Sequence, residues 1–126
     1  MRETRILVID NDHDMCELIQ SRLESKGYNV VTAEDGNAGI EKTKQENFDL
    51  ILLDVKMGEV DGYTVLKELK KNKETRGIPV IMLSGYTKME ELFRGEGVAD
   101  FVAKPFDTRI LELKIEDILK KNNPSV

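Results

Sequence analysis

Apolar residues come along this chain in two rhythms. Ile6-Leu7-Val8-Ile9, Leu50-Ile51-Leu52-Leu53 and Val80-Ile81-Met82-Leu83 are unbroken runs of strand length, the pattern of strands covered on both faces. Asn29-Val30-Val31-Thr32-Ala33 and Phe101-Val102-Ala103 read as two further short strands. Between the runs the spacing turns helical. Met15, Leu18, Ile19 and Leu23 recur on a helix that Asp12 or Asp14 caps and Gly27 closes. Asp35-Gly36 turns into a helix over roughly 37–45 with Ala38 and Ile40 inward. Asp61 is positioned to cap a helix carrying Val65, Leu66 and Leu69. A short helix with Met89, Leu92 and Phe93 inward is broken by Gly95 and Gly97. The last helix starts at Asp107 or Thr108, carries Ile110, Leu111, Ile115, Ile118 and Leu119, and ends in the polar Asn122-Asn123-Pro124. Strands and helices alternating at this pace predict an α/β fold: a doubly wound, five-stranded parallel sheet with five helices and right-handed crossovers.

Composition narrows the function classes. At 126 residues the chain suits one domain, with a core over about 5–121 and a tail or linker stub at 122–126. A net charge of -5 argues against non-specific nucleic-acid binding by this domain. Lys67, Lys70, Lys71 and Lys73 favour the end of their helix as a solvated face. No stretch approaches a membrane span or signal peptide, so a cytoplasmic protein is expected. The single Cys16 excludes an internal disulfide and lies in a helical pattern that favours packing, and the single His13 excludes a multi-histidine metal site.

The chemistry is at the strand ends. Four of the five expected strands run directly into Asp10 (with Asn11), Asp54, Ser84 and Lys104. In a parallel sheet all carboxyl ends share one edge, where ligands bind, so two acids, a hydroxyl and an ammonium can converge there. That set suits phosphoryl transfer, whose transition state spreads charge over phosphoryl oxygens. Asp54 would be the nucleophile. Asp10 and Asp54 would hold Mg²⁺ with waters and a backbone carbonyl, since this hard ion takes oxygen ligands. Ser84 and Lys104 would bind the remaining phosphoryl oxygens. No residue reads as a dedicated base for rapid hydrolysis, which favours a persistent covalent signal over a turnover enzyme.

Val8-Ile9-Asp10-Asn11-Asp12, Leu52-Leu53-Asp54-Val55-Lys56-Met57, Leu83-Ser84-Gly85 and Lys104-Pro105-Phe106 together resemble the receiver domain of two-component response regulators, of the chemotaxis-regulator type. The resemblance runs from about Ile6 to Lys120. It implies a flavodoxin-like sheet of strand order 2-1-3-4-5, with Asp54 accepting a phosphoryl group from a phosphohistidine on a histidine kinase or phosphotransfer protein. Its other implications are Mg²⁺ held by Asp10, Asn11, Asp54 and the backbone carbonyl of Lys56; a cis Lys104–Pro105 peptide; and a switch in which Ser84 and Phe101 move. The surface of the fourth helix, fifth strand and last helix would then change its preference for a downstream protein. By the same resemblance, Lys56 and Tyr86 flank the path of attacking water and tune the lifetime of the phosphoryl group. The domain would catalyse only its own phosphorylation and dephosphorylation, without membrane or direct nucleic-acid contact, as a monomer or weak dimer.

Three departures from the family pattern stand out. Asn11 replaces a second acid, Gly58 stands where proline is usual, and the segment from Ser84 to Lys104 is short, so the fourth helix is expected to be stunted. Two other functions compete. One is a receiver-like interaction module that never carries phosphate. The other is a small haloacid-dehalogenase-like Mg²⁺-dependent phosphatase using Asp10 as nucleophile and Asp12 as acid/base, for which the chain is short and Asp54 has no role.

Overall fold

In a computed structural model, which describes residues 3–55, 62–84, 97–104 and 107–122, five strands pair in parallel. They are β1 (Arg5–Ile9), β2 (Asn29–Ala33), β3 (Leu50–Asp54), β4 (Val80–Ser84) and β5 (Asp100–Ala103). Their order is β2-β1-β3-β4-β5, so β3 is central and its five residues are all buried. Among the described residues the helices are α1 (His13–Glu24), α2 (Gly36–Gln45), α3 (Gly62–Lys71) and α4 (Thr108–Asn122). The expected short helix over Met89, Leu92 and Phe93 lies outside the described residues, as does the Asp61 cap. No described helix is long and apolar enough to cross a membrane.

Alternation along each strand builds two cores, one on each side of the sheet. Ile6, Val8, Leu50, Leu52, Ile81 and Leu83 pack with Cys16, Ile19 and Leu23 of α1 and Leu111, Ile115 and Ile118 of α4. Leu7, Ile9, Ile51, Leu53, Val80 and Met82 pack instead with Val65, Leu66 and Leu69 of α3, and with Ala38 and Ile40 of α2 at the margin. Both faces of the central strands are thus dry, the physical reason their sequence is continuously apolar.

Local chemistry sets the helix ends. Asp12, not Asp14, caps α1 by accepting from the Met15 backbone N–H at 3.2 Å. Asp35 caps α2 in the same way through the Ala38 N–H at 2.7 Å. Past the end of α1, Gly27 takes φ +94°, a left-handed turn that suits glycine. Two apolar positions of the helical patterns depart from the core. Leu18 is 46% exposed and Ile110 51% exposed. Each helix buries only one stripe, and these side chains fall beside it.

Candidate functional site

The register carries the acids to one place. Ile9 lies beside Leu53 in the β1–β3 ladder, so Asp10 and Asp54 follow as the next residues of adjacent strands. Asp10 is fully buried and Asp54 is 5% exposed. Two carboxylates side by side out of water repel and need a counter-charge. Lys104, which follows β5, supplies it: its ammonium lies 2.9 Å from Asp10 Oδ2 and 3.2 Å from Asp54 Oδ1. Burial works to lower the Lys104 pKa, but the hydrogen bonds and charges of Asp10 and Asp54 outweigh it and raise the pKa above the ordinary lysine value. The ammonium is therefore charged throughout the physiological range.

Asp10 is held on every side. Its N–H donates to the Ala33 carbonyl at 3.0 Å, and its Oδ1 accepts from the Asp12 N–H at 2.9 Å. Cys16 Sγ donates to the Asp10 carbonyl at 3.2 Å. Burial, reinforced by the charge of Asp10, pushes the Cys16 thiol up to about 11, so it stays a protonated donor. The packing expected of Cys16 thus includes a contact with the site. The tight turn from Asp10 to Asp12 had a sequence signal, since Asp side chains commonly bond the backbone two residues on.

Asn11 is exposed at the lip of this edge, directly after Asp10. Asp12 spends one carboxylate oxygen on the α1 cap. His13 is exposed and sits between Glu17 and Glu34, each 3.1 Å from a ring nitrogen. Ser84 ends β4 in register with Ala103, the residue before Lys104. Phe101 is half-buried against the core on the α3 side. Lys56, Gly58, Tyr86 and Pro105 lie outside the described residues, so the Lys56 carbonyl, the lifetime pair and the cis peptide lie there too.

The donor set fits a hard dication. Asp10 and Asp54 present acceptor-only oxygens, and two carboxylates against one ammonium leave one negative charge unbalanced in this cluster. Among the described residues no third acid, His or Cys joins them. The remaining ligands would have to be amide, backbone or water oxygens, which Mg²⁺ accepts readily. The crevice outside α2 and α3, lined by Thr43, Lys44, Glu68 and Thr75 among others, includes none of these residues.

Gly62 was not singled out by its sequence. It begins α3 and donates its N–H to the Val55 carbonyl at 2.8 Å, one residue past Asp54. The only cue was a glycine at the junction of loop and helix.

Known proteins resemble this chain in sequence and in fold. The model of the response regulator receiver domain matches residues 6–116. The transcriptional regulator RpaA of Synechocystis is 35% identical over 121 residues, covering 94% of this chain and 50% of that protein. ZraR of Escherichia coli K12 is 36% identical over 116 residues, covering 90% of this chain and 26% of that protein. The chain therefore spans half or less of the length of these relatives. Among solved structures, a CheY-like receiver domain protein from Methanospirillum hungatei superposes with a TM-score of 0.91 at 28% identity, covering 99% of this chain and 100% of that one. The response regulator TrrA of Thermotoga maritima, solved in complex with Mg²⁺-BeF, has a TM-score of 0.82 at 30% identity, over 90% and 97% of the two chains. With the sheet order, the strand-end acids and their shared lysine in place, the match over most of its length identifies the family: this chain belongs to the receiver domains of response regulators.

Proposed function

We propose that Asp54 accepts a phosphoryl group from a phosphohistidine on a histidine kinase or phosphotransfer protein, and that the phosphorylated domain then changes its affinity for a downstream protein. The observation that carries this reading is the Lys104 ammonium shared between Asp10 and Asp54 at the carboxyl edge of the sheet. A carboxylate oxygen of Asp54 attacks phosphorus, the bond from phosphorus to the donor breaks, and the donor leaves with that bonding pair. Lys104 already lies beside the nucleophile, so its charge meets the incoming phosphoryl oxygens without first being recruited. The Ser84 hydroxyl, on the neighbouring strand, would donate to another of them. Mg²⁺, held by Asp10 and Asp54 with Asn11 and the Lys56 carbonyl, would neutralise charge on the transferring group. The domain catalyses only its own phosphorylation, which frees the donor, and its own dephosphorylation, which releases phosphate. A switch through Ser84 and Phe101 toward the face formed by the short helix expected over Met89, Leu92 and Phe93, by β5 and by the last helix α4, and a lifetime tuned by Lys56 and Tyr86, belong to the same proposal.

Incubation with acetyl phosphate and Mg²⁺ should add the mass of one phosphoryl group, and Asp54→Asn should abolish the gain. An adduct that survives that substitution places the acceptor elsewhere; no adduct on the native chain, from acetyl phosphate or a phosphohistidine donor, favours the module that never carries phosphate. The phosphatase alternative fits poorly, because it gives no role to Asp54, which shares the Lys104 ammonium with Asp10, and because Asp12 spends a carboxylate oxygen on the α1 cap.

Asn11→Asp gives a separate test of the metal site. It adds a negative charge beside Asp10, so Mg²⁺ should bind roughly tenfold more tightly, about 1.4 kcal/mol. The same charge crowds the acids when no metal is present and should lower the metal-free melting temperature. Thermal melts with and without saturating Mg²⁺ should show the variant starting lower and gaining more. Equal gains would remove Asn11 from the metal shell.

A further inference from the structure

Gly62 is buried, and its own backbone does not require glycine, because among the described glycines only Gly27 and Gly97 have a left-handed φ. What requires it is space. A Cβ at this position would lie 2.7 Å from Val55 Cα and 3.0 Å from the Asp54 carbonyl carbon, and closer still to the Asp54 carbonyl oxygen. These are main-chain atoms of the residue that ends β3 and of its neighbour, and they cannot rotate aside. Gly39 differs: a Cβ there would meet the Ile9 side chain, whose end can turn. The Asp54–Val55 peptide is also clamped from two directions. The Val55 N–H donates to Leu83 of β4 at 2.9 Å, and the Val55 carbonyl accepts from Gly62 at 2.8 Å.

We infer that Gly62 is a positioning residue for phosphoryl transfer: the bare Cα at the start of α3 is the seat on which the Asp54 backbone rests. The inference rests on Asp54 being the acceptor. A methyl group here must push the Asp54–Val55 peptide or the helix start by on the order of 1 Å, and a misplacement of that size costs about 100-fold in rate when reacting atoms must be aligned. The sheet side of Asp54 is fixed by Leu83, so the displacement cannot be shared evenly, and the carboxylate shifts against Lys104.

The test compares Gly62→Ala with Val65→Ala, a fully buried position one turn along the same helix, where truncation loosens α3 but adds no atom against the Asp54–Val55 peptide. Acetyl phosphate is the donor, at saturating Mg²⁺, and rates are taken per folded molecule. Gly62→Ala should lose roughly 100-fold in maximal rate with little change in half-saturating donor concentration. Val65→Ala should keep the native rate. A Gly62→Ala protein as fast as Val65→Ala overturns the inference. Should Gly62→Ala not fold, amide exchange of the native protein decides. The Gly62 and Val55 N–H groups should exchange as slowly as that of Leu53, and fast exchange at either overturns the seat. If the native chain takes no phosphoryl group on Asp54, the proposed function falls, and the exchange experiment still judges the seat.

Discussion

Replacing Lys104 with methionine should destabilise the metal-free domain by about 3–5 kcal/mol at neutral pH, the usual cost of removing one partner from a buried ion pair. The size follows from where the charge sits. Asp10 has no exposed surface, and the Lys104 ammonium is its only ionic partner among the described residues. Methionine keeps most of the stem's volume, so the loss is electrostatic and not a cavity. The pH dependence has a definite sign. In the native chain the Lys104 pKa is raised on folding, so its contribution is complete at neutral pH and is lost only as pH rises through that value. The deficit of the variant should therefore stay constant around neutral pH and shrink only as pH rises through the raised Lys104 value, where the native chain loses the same charge. Mg²⁺ should restore part of the loss, because it binds the folded state and supplies the missing charge. Urea titrations at two pH values, each with and without Mg²⁺, measure all of this. A deficit independent of both pH and Mg²⁺ would contradict the charge-sharing account.

Leu52→Ala should cost about 3–4 kcal/mol for the opposite reason, loss of packing with no change in charge. Leu52 is fully buried on the central strand and packs in the core shared with α1 and α4. Neighbours held on both sides by the sheet ladder relax poorly into the space left, so the transfer and cavity contributions add. Set against a total stability of 5–15 kcal/mol for a typical domain, this removes a large share. Leu18→Ala should cost far less, about 0.5 kcal/mol, since nearly half of Leu18 is already exposed to solvent. Denaturant midpoints of the two variants check the contrast, and both should take up phosphate at the native rate per folded molecule. Equal midpoints would show that the central strand is not the packed core described.

The strand runs were legible because each is a local fact. Four or more consecutive apolar residues are hard to place anywhere but in a sheet covered on both faces, and β1, β3 and β4 form there. The strand-end residues Asp10, Asp54, Ser84 and Lys104 were legible for a related reason: parallel pairing puts every carboxyl end on one edge, whatever the order of the strands. Helix faces were read less finely. Leu18 and Ile110 fit the helical spacing but are about half exposed, because spacing alone defines a broad arc and the neighbouring element decides how much of it is covered. Asp12 and Asp14 were equivalent candidates for the α1 cap until the backbone path from Asp10 selected Asp12.

Alternation and strand-end chemistry, then, determined the fold class and which residues stand at the carboxyl edge of the sheet, since both depend only on neighbours along the chain. Which atoms touch was decided by the tertiary structure alone. The β1–β3 register brought Asp10 beside Asp54, and the position of β5 let one ammonium reach both acids. Cys16 became a donor to the Asp10 carbonyl only when α1 packed on the sheet. Gly62 gained its importance from a main-chain contact with Asp54 that leaves no periodic trace, because a missing side chain records nothing about what it makes room for. Contacts between residues distant in sequence are set by register, strand order and packing, which are properties of the assembled chain.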